Sequence, residues 1–246
     1  MLPVLQVGSL AIQVQGLILL AGVWVATLAV DRQARGRGQL GPVLGNLIFY
    51  SLVAGIVGAR LGYALRFPDA YLERPLDLVS LQLVGLDAAA GALAAGLAGW
   101  VYGRKQGLDL WAALDGLTPG LAVLALSVAV AHLASGDAFG GPSDVPWAIE
   151  LWGARRHPSQ VYELIAAAAG LMLVRRLAGL RSFSGFLFLG CTAWFAATRL
   201  LLEAWRGDSV LALGNLRSAQ VVSLVVLAIV LVALHLRAEK SSALGG

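Results

Sequence analysis

Long apolar runs alternate with short polar segments along the whole chain. A helix needs about 20 residues to cross the hydrocarbon core of a bilayer, and seven runs approach or reach that length. The predicted spans are Leu10–Val30, Val43–Leu65, Leu83–Gly103, Leu110–Leu133, Gln160–Val174, Phe183–Trp205 and Gln220–Leu236. The pattern therefore predicts an all-α polytopic membrane protein with seven transmembrane helices. Because no long polar block could form a separate soluble domain, we expect one membrane domain over residues 1–246.

Composition agrees with a membrane protein. Of the 246 residues, 59% are hydrophobic and 13% are charged, whereas a soluble domain has about 45–50% apolar and about 25% charged residues. The net charge of +4 does not indicate a nucleic-acid partner, because basic residues of membrane proteins collect in cytoplasmic loops. The single cysteine, Cys191, lies within a predicted span, which leaves neither a disulfide framework nor a thiolate metal site.

The distribution of basic residues predicts the orientation. The segments after spans one, three, five and seven hold ten Lys or Arg residues, and the segments on the opposite side hold six. The more basic side is expected to be cytoplasmic, so the N-terminus lies outside and the C-terminus in the cytoplasm. The long polar segment Ser135–Glu163 then forms a cap on the outer side of the membrane. Because it is rich in Gly, Pro, Trp and charge, we expect a functional site there.

Ionisable side chains inside the spans need a partner, a cavity or a ligand, because charge in hydrocarbon is costly. Arg60 lies deep in the second span with Tyr63 on the same helix face, and no acidic residue lies within one turn of it. Arg199, Glu203 and Arg206 follow one another at helical spacing and form a polar stripe on the sixth span. Arginines that face a bilayer cavity suit a phospholipid phosphate, which guanidinium binds bidentately. The alternative is a structural Arg199–Glu203 pair that neutralises itself.

Other polar residues each allow a functional and a structural interpretation. Asp115 is either a site residue or a helix cap. His157 is a loop histidine bound to backbone, a general base, or a metal ligand, although no second His or Cys stands at ligand spacing. His132, near the outer end of the fourth span, is either a titratable site residue or a polar helix end. Gly136 lets the backbone approach a ligand closely or simply forms a turn.

Five segments, in chain order, resemble motifs of prolipoprotein diacylglyceryl transferase, a bacterial inner-membrane enzyme. They are GARLGYAL at Gly58–Leu65, LDGLTPG at Leu114–Gly120, FGGPSDVPWAI at Phe139–Ile149 with RHPSQVYE at Arg156–Glu163, TRLLLEAWRGD at Thr198–Asp208, and RSAQVVSL at Arg217–Leu224. The family's seven spans, outside N-terminus and inside C-terminus agree with the count of spans and charges given above.

The resemblance implies transfer of diacylglyceryl from phosphatidylglycerol to the lipobox cysteine thiol of a prolipoprotein, with departure of glycerol phosphate. The implied location is the bacterial plasma (inner) membrane, and no metal, organic cofactor or nucleic acid is implied. On this interpretation the expected catalytic residues are His132, His157, Arg199 and Asp137. The expected substrate-binding residues are Arg60, Tyr63, Asp115, Gly136, Gln160, Tyr162, Glu163, Glu203 and Arg206.

The chain departs from the family pattern ahead of the polar segment. The family signature reads roughly Arg-Ile-Gly-Asn-Phe-Ile-Asn-Gly-Glu, and AVAHLASGD stands at Ala129–Asp137. Ala129 thus replaces the signature arginine, His132 its first asparagine and Asp137 its glutamate. Three hypotheses stay open: a transferase with a rearranged site, a paralogue that binds phospholipid or a lipoprotein segment without transfer, and an enzyme with another lipid donor or acceptor.

Overall fold

A computed structural model describes residues 4–7, 10–35, 40–73, 78, 85–180, 182–212 and 216–245. The chain divides into two compact units. The first unit combines Met1–Ala29 with Leu114–Gly246, and the second is Val30–Ala113. The single membrane domain expected over residues 1–246 stays a prediction.

Within the described residues, eight α-helices account for most of the chain. They are α1 (Val14–Ala34), α2 (Leu40–Arg66), α3 (Pro68–Glu73), α4 (Ala88–Lys105), α5 (Leu110–Ser135), α6 (Ser159–Leu177), α7 (Phe186–Leu202) and α8 (Ser218–Gly245). The seven long helices coincide with the seven apolar runs. The predicted helix start at Leu10 is wrong, because Leu10–Gln13 (β2) pairs with Val4–Val7 (β1) as an antiparallel hairpin.

Five of these helices, α1, α2, α5, α7 and α8, are long and apolar enough to cross a membrane. Helix α4 is rich in Ala and Gly, and α6 carries Glu163, Arg175 and Arg176, which lowers the mean hydropathy of both helices. The all-α membrane architecture is therefore confirmed. Seven spans and the outside N-terminus stay predictions.

In the second unit, α2 and α4 pack closely through small residues. A Cβ atom on Gly91 would lie 2.9 Å from Cβ of Ala59, and one on Gly99 would lie 2.7 Å from Oγ of Ser51. Larger side chains at these glycines would separate the helices, and such small-residue contacts are typical of membrane helix pairs.

In the first unit, α7 packs against both α6 and α8. Leu187 and Cys191 of α7 form a buried cluster with Ala122 of α5 and Val174 of α6. Further along α6, a Cβ atom on Gly170 would lie only 2.8 Å from the ring of Phe195, so the two helices approach closely there. This packing fixes the helix that carries the arginine stripe.

Candidate active site

Asp115 fixes the start of α7. Its side chain is buried on α5, and its two oxygens accept hydrogen bonds from the backbone nitrogens of Gly185 and Phe188, each at 2.9 Å. A carboxylate in this position satisfies backbone donors that the first turn of a helix leaves unpaired. Of the two roles left open for Asp115, the observed contacts match a helix cap. The capped helix is α7, and not α5, to which Asp115 belongs.

The polar segment between α5 and α6 is folded, and we call residues 136–158 the cap loop. Strands β3 (Ile149–Leu151) and β4 (Ala154–Arg156) pair in it as a short antiparallel hairpin. Arg156 donates to the carbonyls of Leu151 at 3.1 Å and Gly140 at 3.3 Å, and its guanidinium lies 5.0 Å from the ring centroid of Phe139. Arg156 therefore serves to hold the cap loop together.

Backbone hydrogen bonds attach the cap loop to the segment that follows α7. Gly207 donates to the carbonyl of Phe139 and Gly141 donates to the carbonyl of Trp205, both at 2.8 Å. A Cβ atom on Gly207 would lie 2.8 Å from the carbonyl oxygen of Gly140, so a larger residue would push the two segments apart. The cap loop thus fixes the position of Arg206, which lies between Trp205 and Gly207.

The arginine stripe, which begins in the last turn of α7 and continues through a short 3-10 helix at Glu203–Trp205, is an alternating chain of charges. Arg199 Nη2 lies 3.1 Å and Arg206 Nε lies 3.8 Å from the same carboxylate oxygen of Glu203, whose side chain is 2% exposed. Arg206 also donates to both oxygens of Asp208, at 2.9 and 2.7 Å. Burial by itself would lower the pKa of Arg206, but Asp208, Glu203 and Glu163 raise it above its ordinary value. The Arg206 guanidinium therefore stays charged.

Arg217, which immediately precedes α8, contacts the same segment after α7. Its Nη1 donates to the backbone carbonyls of Glu203 and Arg206 and to Oγ of Ser209. Sequence reasoning did not single out Arg217 or Asp208 as site residues. The available signal was that each stands in a segment resembling a family motif.

A cavity of about 470 Å³ lies next to the stripe, inside the first unit. Among the residues that the structure describes, the charged ones that line it are Glu163, Arg199 and Arg206. The uncharged wall comes mostly from small and apolar side chains of four helices, among them Ala125, Val128, Phe195, Ala196, Val222 and Val226. The cavity therefore has one charged region and an apolar remainder, within the range of about 300–1,000 Å³ typical of small-molecule pockets.

His132 and Glu163 form a pair at the edge of this cavity. His132 Nδ1 lies 2.9 Å from Glu163 Oε2, and the two side chains are 23% and 25% exposed. Glu163 lines the cavity, as does Val128, which precedes His132 by one helical turn on α5. The positive charges of Arg206 and Arg199 also act on Glu163. The pair thus joins α6 to α5 at the cavity edge.

His157 lies within the framework of the cap loop. Its backbone nitrogen donates to the carbonyl of Gly141 at 3.1 Å, and its Nδ1 lies 3.5 Å from Oη of Tyr162. Tyr162 accepts a hydrogen bond of 2.6 Å from Trp147 Nε1 and packs against the ring of Trp205. Of the three roles left open, the observed contacts match a loop histidine bound to backbone.

Three further predicted site residues form the corner between α5 and α6. Gly136 ends α5 with a positive φ of 83°, and its nitrogen donates to the carbonyl of His132 at 2.9 Å. The exposed carboxylate of Asp137 accepts from Ser135 Oγ at 2.8 Å. Gln160 is fully buried, and its Nε2 donates to the carbonyl of Asp137 at 3.1 Å. These three residues are not among those that line the cavity.

Arg60 and Tyr63 belong to the second unit. Arg60 Nη1 lies 3.4 Å from the carbonyl oxygen of Gly85, at the limit of a hydrogen bond, and the ring of Tyr63 packs against those of Phe67 and Tyr71. The shared pocket expected for the arginines of the second and sixth spans stays a prediction. In the part of the chain that the structure describes, no three His, Cys, Asp or Glu side chains are grouped to hold a metal ion.

Comparison with known proteins agrees with the motifs. The family profile described as prolipoprotein diacylglyceryl transferase matches residues 3–236. A Thermus thermophilus relative is 28% identical over 89% of this chain and 92% of its own length. Relatives from Methylocella silvestris and Bordetella avium are 32% and 36% identical, over 82% and 65% of this chain and 79% and 64% of their own lengths. All three are named phosphatidylglycerol–prolipoprotein diacylglyceryl transferase. The chain therefore belongs to the prolipoprotein diacylglyceryl transferase family.

Proposed function

We propose that this chain transfers the diacylglyceryl group of phosphatidylglycerol to the lipobox cysteine of prolipoproteins, in the bacterial plasma (inner) membrane. The observation that carries the proposal is the polarity of the cavity. Arg199 and Arg206 lie at its charged region, and small and apolar side chains form most of the remaining wall. A phospholipid has the same distribution of polarity, with an anionic phosphate next to apolar chains. The names of the relatives supply the donor and the acceptor.

Arg199 is the residue best placed to bind the donor phosphate. One of its nitrogens pairs with Glu203, and a guanidinium carries five N–H donors, so the others can reach phosphate oxygens. Arg206 already donates hydrogen bonds from Nε and Nη2 to the two carboxylate oxygens of Asp208. Arg206 therefore contributes its positive charge and holds Glu203, while Arg199 makes the direct contacts.

The transfer is a displacement at carbon. A histidine base removes the proton of the cysteine thiol, and the sulfur bonds to the terminal glyceryl carbon of the donor. The bond from that carbon to the phosphate oxygen breaks, and glycerol phosphate leaves with the electron pair. Its phosphate gains one negative charge during this step, and fixed donors aimed at developing charge contribute about 10²–10³-fold to kcat. His132 and His157 are the candidate bases.

The second candidate function, phospholipid binding without transfer, has its support in Ala129. This residue replaces the family's signature arginine and is fully buried, so α5 presents no guanidinium at that position. The two candidates make different predictions about the same cavity, because both require a bound phospholipid but only the first requires a base and a leaving group.

Rescue of a bacterial strain depleted of its own transferase distinguishes the two. We expect the wild-type chain to restore growth and lipoprotein maturation, and Arg199→Ala to fail. The matched control is Arg176→Ala, which removes an exposed arginine from the last turn of α6, the end of that helix opposite to Glu163. Failure of the wild type, despite its presence in the membrane fraction, would remove the transferase proposal and favour binding without transfer.

A further inference from the structure

The contact between His132 and Glu163 joins two helices that bound the cavity. His132 lies in the last turn of α5, and Glu163 lies near the start of α6. Their 2.9 Å contact brings an imidazole to a carboxylate that itself lines the cavity. Both side chains are partly shielded from solvent, where a charged hydrogen bond is stronger than it is in water.

This contact selects the proton position on the imidazole. An ionised carboxylate only accepts hydrogen bonds, so His132 Nδ1 must carry the proton that it shares with Glu163. In the neutral ring, Nε2 then has the free lone pair. The positive charges of Arg206 and Arg199 also act on Glu163. The pair therefore presents an imidazole whose second nitrogen is ready to take a proton.

His157 lacks this arrangement. Its ring contact is the hydroxyl of Tyr162 at 3.5 Å, and a hydroxyl both donates and accepts, so it does not select one tautomer. Its backbone is packed against Gly140, where an added Cβ atom would lie 2.7 Å from Cβ of His157. His132 is the better candidate for the base on both counts.

The leaving group balances the charge that the proton brings. Arg199, Arg206 and Glu163 are charged residues that line the cavity. A proton that moves from the thiol to His132 adds one positive charge at the cavity edge, at the moment when the leaving phosphate gains one negative charge.

We propose that His132 and Glu163 form the acid–base dyad of this transferase. His132 takes the proton from the acceptor thiol and is the catalytic residue, and Glu163 is its positioning residue. The inference rests on the proposed function and decides between the two histidines. The step balances, because the thiol proton goes to Nε2 of His132 and the electron pair of the broken carbon–oxygen bond leaves with glycerol phosphate.

Purified protein in nanodiscs that contain phosphatidylglycerol tests the dyad, with a synthetic lipobox peptide as acceptor. We expect His132→Gln to lower kcat by about 10²-fold or more while the KM values stay close to those of the wild type. Glu163→Gln should lower kcat less, and Glu163→Asp should recover part of the loss. The matched controls are His235→Gln and Glu239→Gln, a His–Glu pair at 3.2 Å on the exposed face of α8, and both should keep wild-type kinetics.

A peptide with selenocysteine in place of the acceptor cysteine isolates the base step. A selenol is ionised at neutral pH and needs no base, so His132→Gln should regain most of its kcat with this peptide. Arg199→Ala should not, because the phosphate contact is still missing. Rescue of both variants, or of neither, would overturn the role of His132, as would a His132→Gln variant with wild-type kcat on the cysteine peptide.

Nitrogen-15 NMR of the imidazole rings tests Glu163 without reference to activity. The chain has three histidines, so single variants assign the signals. In the wild type, Nδ1 of His132 should carry the proton, and in Glu163→Gln that preference should weaken while the signals of His157 and His235 stay unchanged. An identical tautomer in both proteins would contradict a positioning role. If the wild type transfers to neither peptide and also fails to rescue the depleted strain, the proposed function falls and the dyad falls with it.

Discussion

Replacement of Glu203 by Gln is the sharpest test of how the arginine stripe is held together. The Glu203 side chain is 2% exposed and its carboxylate lies between the guanidinium groups of Arg199 and Arg206. Gln has nearly the same shape but no charge. The substitution therefore leaves two cations facing each other without the anion that separates them.

The separations set the size of the expected effect. With an effective dielectric constant of about 20, unit charges at these distances attract by about 5 and about 4 kcal/mol before desolvation is counted. Loss of one partner of a buried pair costs about 3–5 kcal/mol net. The low end applies, because Arg199 is 39% exposed and Arg206 keeps Asp208. For a chain of this length, about 3 kcal/mol corresponds to a fall in Tm of roughly 6–12 °C.

Thermal unfolding in detergent measures this change directly. The matched control is Glu239→Gln, whose carboxylate is 62% exposed and pairs with His235, and it should leave Tm almost unchanged. Added phosphatidylglycerol should raise the Tm of Glu203→Gln more than that of the wild type, because its phosphate replaces the lost negative charge, whereas neutral diacylglycerol should not. Equal Tm values for the two variants would refute the assignment of Glu203 as the anion that holds the stripe.

Two further substitutions test the framework around the cavity. Asp115→Ala removes the cap of α7 and should lower stability by about 2 kcal/mol, measured as a fall in Tm. The control Asp144→Ala, at an exposed loop position, should leave Tm unchanged. Equal Tm values for the two variants would contradict the capping role of Asp115. Gly140→Ala would place a Cβ atom 2.7 Å from that of His157 and should reduce transfer in nanodiscs by displacing the cap loop. The control Gly45→Ala, on α2 with open space around it, should keep full activity and gain about 0.5–1 kcal/mol in stability. Loss of activity in both variants would argue against a specific role for the cap loop.

The helices could be predicted from the sequence because apolar runs of spanning length have few other structures available to them in a membrane. The exception is the N-terminus, where the apolar run from Leu10 is continuous with α1. A short apolar stretch does not distinguish a strand from a helix, and the pairing of Leu10–Gln13 with Val4–Val7 decides it. Hydropathy also separates the strong spans from α4 and α6, whose small and charged residues weaken the signal.

Much less of the site could be predicted. The contact of Arg199 with Glu203 follows from their spacing on one helix. The contact of His132 with Glu163 joins residues 31 positions apart, and that of Asp115 with Gly185 joins residues 70 positions apart. No local pattern marks such pairs, because they depend on how α5, α6 and α7 pack. The residues that line the cavity could not be predicted either, because Ala125 and Ala196 do not differ in the sequence from other small residues of a membrane helix.

The replacement of the family's signature arginine changes what α5 can do. Arginine is always charged and cannot serve as a base, whereas histidine can exchange a proton. Ala129, at the position of the signature arginine, is fully buried and packs within the structure. The side chain on α5 that can exchange a proton is His132, one helical turn further along the chain. Glu163 at 2.9 Å holds that group at the cavity edge, while Arg199 in the last turn of α7 and Arg206 just after α7 supply positive charge. In the proposed mechanism, phosphate binding takes place at the end of α7 and proton transfer on α5, so both parts of the reaction are assigned in a chain without the signature arginine.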